Sequence, residues 1–207
     1  LISVIGYMSS TEKKREILKV KDDFFFYFKR LSRLFIITFI LFMGYIFFLT
    51  ISPVYLTDIA GSSNRMGWIV LCSGLIHAIT APYAGNLIDK YPRETAIRIA
   101  SVFVIFSMLA YSFTVNLYVI TLVFTIPIYM TFFLGARTIV ADTVPYDLRA
   151  RMMGLLSSFS LLGSGLGSLI VGELLLNYDE QQVFVFGALI ASIAPLSFDT
   201  PLRPKTF

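Results

Sequence analysis

Charge is what this sequence has least of. Only 14% of its 207 residues are charged while 57% are hydrophobic, and the mean hydropathy is +0.78. Ordinary globular chains carry roughly 25% charged residues. The twenty Phe and eleven Tyr add bulk suited to lipid and its interfaces rather than to a small water-soluble core. The composition is that of an integral membrane protein. Cysteine and histidine are nearly absent. The single Cys72 excludes an internal disulfide and offers no zinc-ligand spacing. The single His77 has no acid near it in sequence, so neither a catalytic triad nor a metal-spaced cluster can be assembled. No glycine-rich stretch carries the lysine of a phosphate-binding loop, which argues against an ATP-driven pump and leaves no cofactor to expect.

What the chain does have is long uncharged runs. Segments 34–52, 67–84, 152–172 and 181–198 are each long enough to cross about 30 Å of hydrocarbon as a helix. The run 99–136 is too long for one crossing and suits two, with a turn near Thr114, Val115 and Asn116. Six crossings are expected, forming an all-α bundle over 34–198. The opening LISVIGYMSS is apolar but too short to span, and its bases follow rather than precede it, unlike a signal peptide. Residues 1–10 are expected to end a preceding transmembrane helix, the alternative being an interfacial segment.

Lysine and arginine then alternate by side. Residues 11–33 hold eight, 85–98 three, 141–151 two and the 199–207 tail two. On the opposite side only Arg65 is found, in 53–66, and Arg137 is left within a span. This is a positive-inside pattern that puts both ends of the sequence in the cytoplasm. Residues 11–33 read as a cytoplasmic linker, and 24–33 interleave aromatics with bases as an interfacial amphipathic helix does. A segment held against the membrane in this way is a poor nucleic-acid binder.

One charged loop is more specific than hydropathy. Gly85, Leu87, Asp89, Lys90 and Arg93 resemble the G-x-L-x-D-[RK]-x-G-[RK]-[RK] loop of the major facilitator superfamily, between the second and third helices of a six-helix half. Pro92 and Glu94 depart from that pattern. ADTVPYDLRARMMGLLSS, 141–158, resembles the link between the fourth and fifth helices of a half. Gly163, Gly167 and Gly172 resemble the family's antiporter glycine signature, with Ser168 and Val171 as departures. The resemblance covers essentially residues 1–200. The apolar start, the basic linker and the absence of arginine from 117–135 fit the C-terminal half, from the end of helix six through helix twelve. The glycine signature is more usual in the fifth helix of an N-terminal half.

The resemblance implies site roles. Asp89 would face the helix start at 148–152, favoured there by the helix dipole, and Arg93 would pair with Asp142. With Gly85, Leu87 and Lys90 these form a conformational latch that closes one side and opens on switching. The plain reading is that the loop charges only end helices and mark the cytoplasmic side. Gly163 and Gly167, four apart, let helices approach closely, and Gly172 continues the small surface, either for sliding or for static packing. His77 lies about ten residues, roughly 15 Å, into its span, and Ser73 and Thr80 share its face. It is a candidate for a substrate or proton path, the alternative being a neutral imidazole bonded between helices. Arg137 is a weaker member of that path; snorkelling to the cytoplasmic surface or joining the Asp89–Arg93–Asp142 network is the reading preferred for it.

The resemblance implies secondary active transport of a small solute across the cytoplasmic membrane by alternating access, as efflux or uptake, with proton coupling as one form. Its partners would be the solute, the bilayer and an N-terminal six-helix half from outside this sequence. A non-transporting scaffold or receptor and a membrane-embedded enzyme are the competing classes.

Overall fold

The computed structural model describes the backbone of residues 2–90, 92–126 and 128–196, and the side chains of 23–195 except 84, 87–89, 91, 93 and 127–131. Among the described residues there is no strand. The helices are α1 (Ile2–Ala60), α2 (Ser63–Lys90), α3 (Arg93–Phe113), α4 (Leu117–Thr125), α5 (Ile128–Thr143), α6 (Tyr146–Leu174) and α7 (Glu180–Leu196). Asp23–Ala60, Ser63–Tyr83, Glu94–Phe113 and Tyr146–Leu174 are each long and apolar enough to cross a membrane. The other two crossings of the six-helix bundle are α4 with α5 in succession, and the 17-residue α7.

Helix boundaries differ from the hydropathy segments where local chemistry overrides polarity. The expected loop at 53–66 shrinks to Gly61 and Ser62, because Pro53, Asp58 and Arg65 are all helical. Gly61 has φ 73°, a left-handed geometry that glycine adopts without a Cβ clash. Its N–H reaches the carbonyl of Thr57 at 3.0 Å, ending α1. The turn at Thr114–Asn116 falls where the long uncharged run anticipates it, and Asn116 Oδ1 caps α4 by accepting from the N–H groups of Tyr118 and Val119. The fourth crossing is broken, which hydropathy does not show. Ile126 is extended (φ −77°, ψ 119°), as the Cδ of the following Pro127 requires of its predecessor. At the other end of the chain, α1 runs helical through 11–33 without interruption.

α1 is the spine. It packs along α6 and α7, while α3 packs on α7 and α5. At the α1–α6 seam a Cβ built on Gly163 would collide with the carbonyl oxygen of Phe39 and lie 3.2 Å from the Met43 nitrogen. One built on Gly167 would strike the Ile46 side chain. Both glycines are buried, and Phe35 stacks on Phe159 at 5.4 Å just beside them. Small residues at this spacing are what bring helices together in lipid, where burial of apolar surface gives no drive for association.

At the end of the bundle where α1 meets the α3–α4 turn, Tyr55, Tyr111, Phe184 and Phe48 form an aromatic cluster with centroid separations of 5.0 to 6.4 Å. Its polar tips are satisfied across helices. Tyr55 Oη donates to the Thr114 carbonyl at 3.1 Å and accepts from Gln181 Nε2 at 2.9 Å. Tyr111 Oη donates to the Ile120 carbonyl at 3.3 Å. The Thr114 carbonyl, at the end of α3, is thereby paired inside an apolar layer.

The seam gives a direct expectation. Gly163→Ala should destabilise the protein by about 1–3 kcal/mol through overpacking. Gly172→Ala should be neutral or slightly stabilising, because that glycine is exposed with nothing within 4 Å of its Cβ position. Thermal unfolding of both variants in detergent checks this.

Candidate functional site

The polar residues expected on the His77 face part company in the structure. Ser73 is 2% exposed and its Oγ lies 3.0 Å from Thr125 Oγ1 on α4. Thr125 Oγ1 already donates to the Thr121 carbonyl at 2.7 Å. A hydroxyl has one proton, so Ser73 must be the donor of the pair. The bond ties α2 to α4 immediately before the break at Ile126. Thr80 Oγ1 turns back to the Ile76 carbonyl at 2.7 Å and offers its proton to no other helix.

His77 lines a cleft together with the polar side chains of Tyr45 and Ser107. Its Nε2 is buried and has no hydrogen-bond partner among the described residues. The cleft, about 220 Å³, lies between α2, α1, α3 and α4, and its walls include Tyr45, Phe48, Phe103, Ser107 and Phe124. Ile126, at the helix break, closes one end. Ser107 Oγ is committed to the Phe103 carbonyl at 2.8 Å. The site is therefore an aromatic slot beside the His77 imidazole, whose Nε2 is itself buried. The i, i+3, i+4 spacing found His77, but its aromatic walls come from three other helices and left no local signal. Pro127 was the one local clue, since a proline in an apolar run breaks the helix there.

Arg137 does not line the cleft. It is exposed on α5, with its guanidinium carbon 3.9 Å from the ring centroid of Phe133, one turn earlier on the same helix. A cation held on a neighbouring ring has an intrahelical partner and no reach to His77. α2 itself is weakly covered: 6% of its most apolar window is buried, against 50% for α1. Trp68, Leu71, Leu75, Ile79 and Tyr83 are all exposed along it.

The charged loop separates α2 from α3. Lys90, the last residue of α2, is exposed, and Gly85 is half-buried with nothing within 4 Å of its Cβ position. α3 starts after Pro92, whose carbonyl accepts from Thr95 N at 2.8 Å, and Glu94 lies in its first turn, where the helix dipole favours an acid. The side chains of Leu87, Asp89 and Arg93 lie outside the described residues. Across the bundle, α5 ends at Thr143 and α6 begins at Tyr146, with Asp147 in its first turn. Arg149 Nε donates to the Val144 carbonyl at 3.3 Å, fastening that second connection. Asp142, close to the end of α5, is exposed and engaged by a partner.

Residues 34–206 match the sequence profile of the Major Facilitator Superfamily. The chain belongs to that superfamily. It is also similar to Multidrug resistance protein 2 of Bacillus subtilis (strain 168), 26% identical over 167 residues, which is 77% of this chain and 40% of that relative. The chain thus spans about two-fifths of the length of the curated relative it matches. Superfamily membership makes the six-helix bundle a multi-pass membrane unit of transporter type. The glycines at the α1–α6 seam and the two charged connections are then features of a superfamily bundle, and the His77 cleft sits within it rather than in either connection.

A double-mutant cycle tests the tie between α2 and α4. Ser73→Ala and Thr125→Val, alone and together, should show a coupling energy of about 0.6 kcal/mol in thermal unfolding, the usual size for hydrogen bonds between membrane helices. Strict additivity of the two losses would mean that the bond holds nothing.

Proposed function

We propose that this chain is one six-helix half of a secondary transporter that moves a small organic solute across the cytoplasmic membrane by alternating access. The observation that carries the reading is the superfamily match over 34–206, which takes in the Gly85–Arg93 loop and both charged connections. The exposed apolar length of α2 supports a second bundle as its neighbour, since a helix so little covered within its own half has a face to offer. Residues 11–33 form the cytoplasmic segment, helical and continuous with residues 2–10 in α1 rather than separated from them by a loop, and 199–207 a cytoplasmic tail. The lysine and arginine distribution supports that orientation. The relative's name, Multidrug resistance protein 2, favours efflux of organic compounds over uptake of nutrients.

Mechanistically, two bundles rock about a midplane site between them, and gradient energy selects the direction. The loop acts as the latch. Asp89 faces the start of α6, Arg93 pairs with Asp142, and Gly85, Leu87 and Lys90 shape the turn that holds them. Opening the cytoplasmic side breaks these contacts, so the latch biases one of two states. The α1–α6 glycines serve as packing, since the close approach at Gly163 and Gly167 leaves no room for sliding past Phe39 and Met43. His77 is the ionisable group nearest the middle of a span, and proton coupling through it is the specific form of the reading.

Vesicles carrying the full-length protein, with a pH gradient imposed, test this. Efflux or uptake of an organic cation dye should collapse when the gradient is dissipated. Asp89→Asn should cut the rate at least about tenfold, the order expected when a charge-assisted contact is lost, while membrane insertion stays normal. Unchanged kinetics in that variant would remove the latch role.

A further inference from the structure

The basic, aromatic run at the start of the first crossing stands upright where an interfacial helix would lie flat. Phe24, Tyr27 and Phe28 pack against the core that includes Leu31, Leu34 and Phe35. The rings of Phe24, Phe28 and Phe35 follow one another at 6.5 and 5.8 Å. This face of α1 is fastened to the bundle, so the segment continues the crossing instead of resting on the lipid surface. The opposite face carries Phe25, Phe26, Lys29 and Arg30, all exposed. Exposed Ile36 continues the stripe into the uncharged run, and half-buried Arg33, already engaged by a partner, stands between. Spacings of three and four residues keep these side chains on one side of the helix.

Depth decides what the stripe meets. The uncharged run begins at Leu34, and Arg30 and Lys29 precede it by about 6–8 Å of helical rise. The headgroup layer is about 5–7 Å thick on each side of the hydrocarbon. Helical side chains lean toward the N-terminus, which on α1 points out of the hydrocarbon. The ammonium and guanidinium therefore reach away from the acyl chains and toward the phosphates, as snorkelling bases do. Neither pairs with an acid among the described residues. Asp23, the nearest described acid on α1, lies roughly 10 Å of helical rise beyond Arg30. Ser32 does not compete for a phosphate, since its hydroxyl donates to the Lys29 carbonyl at 2.8 Å. Two cations on a backbone held by the core, with an apolar side chain above them and rings below, complement a lipid whose headgroup is net negative. A zwitterionic headgroup brings an ammonium of its own against them.

We propose that the exposed stripe of α1 formed by Phe25, Phe26, Lys29, Arg30 and Ile36 is a binding site for an anionic phospholipid of the adjoining leaflet. Lys29 and Arg30 hold its phosphate, and its acyl chains run alongside Ile36. Phe25 and Phe26 flank the contact on its aqueous side, in the boundary region where aromatic side chains of membrane-surface helices settle. The site goes beyond the transport reading. It uses the membrane embedding of the superfamily bundle and needs no particular solute, coupling or sidedness.

A probe beside the site tests it. In the full-length protein, with Cys72 and any cysteine outside these 207 residues replaced by serine, Ile36→Cys carries a bimane fluorophore in nanodiscs. Doxyl-labelled phosphatidylglycerol and doxyl-labelled phosphatidylcholine are compared as quenchers at equal mole fraction. Phosphatidylglycerol should be enriched about fivefold at the probe, the preference that one cation near an anionic headgroup provides. In Lys29→Gln/Arg30→Gln the preference should fall below about twofold. It should persist in Lys29→Arg/Arg30→Lys, which conserves the charge, and in Arg151→Gln, which removes an exposed base of α6 near the same end of the bundle. Equal quenching by the two lipids in the bimane-labelled parent overturns the proposal, whether or not the variants fold. A preference that survives the Gln pair, or that falls equally in Arg151→Gln, overturns it as well. Both leaflets of a nanodisc carry the same lipids, so the outcome does not depend on orientation or on transport. Failure here leaves the transport reading standing; loss of transport with the lipid preference intact counts against that reading alone.

Discussion

Everything in this bundle depends on how closely α1 can approach α6. In a bilayer the hydrophobic effect does not draw helices together, so contact energy must come from atoms that touch. Gly163 and Gly167 supply that contact by letting the backbone of α1, from Phe39 to Met43, lie where a side chain would otherwise stand. Gly44 does the same toward α7, with Ala191 Cβ only 2.9 Å from its own Cβ position. A helix so clamped on two sides becomes a fixed reference, and the aromatic cluster around Tyr111 locks its far end through bonds to Thr114 and Gln181.

α2 is held on different terms. It has little of its surface covered, a proline at 82 within its length, and one side-chain hydrogen bond to α4 at Ser73. That bond falls beside the break at Ile126, where α4 gives way to α5. The same neighbourhood contains the unpaired nitrogen of His77. A tight spine thus stands beside a lightly fastened helix that carries a buried, unpaired polar atom. The charged connections at Lys90–Arg93 and Thr143–Tyr146 lie at helix ends and leave this core untouched.

Much of this was legible from residue order, for a physical reason in each case. Six apolar segments followed from length and polarity alone, and the α3–α4 turn at Thr114–Asn116 from a run too long for one crossing. The glycine pair at 163 and 167 was legible because spacing of four puts both on one face. The boundaries of α1 and α2 were not, since the uncharged segments stop at 52 and resume at 67 while the helices run to Ala60 and resume at Ser63. The broken fourth crossing was missed because an uncharged run hides Pro127. Of the candidate path, periodicity grouped Ser73, His77 and Thr80, yet could not tell that Ser73 bonds to Thr125, 52 residues away, or that Thr80 serves its own helix. Contacts between distant segments decide which polar atoms remain open, and a single sequence carries no record of them.

The central claim is that the glycine seam clamps α1 to α6, while α2 is only lightly fastened to the rest of the bundle. Cys72, the only cysteine in these 207 residues, lies exposed on α2 and serves as one spin-label site once any cysteine outside them is replaced. Pulsed electron–electron distance measurement compares Cys72 paired with Leu162→Cys against Ile36→Cys paired with Leu162→Cys in a Cys72→Ser background, both in nanodiscs; Ile36 and Leu162 are exposed on α1 and α6. The account predicts one narrow distance for the α1–α6 pair under all conditions, and a broad or two-peaked distribution for the α2–α6 pair. An α2–α6 distribution as narrow as the α1–α6 one, unchanged across ligand and pH, would contradict it.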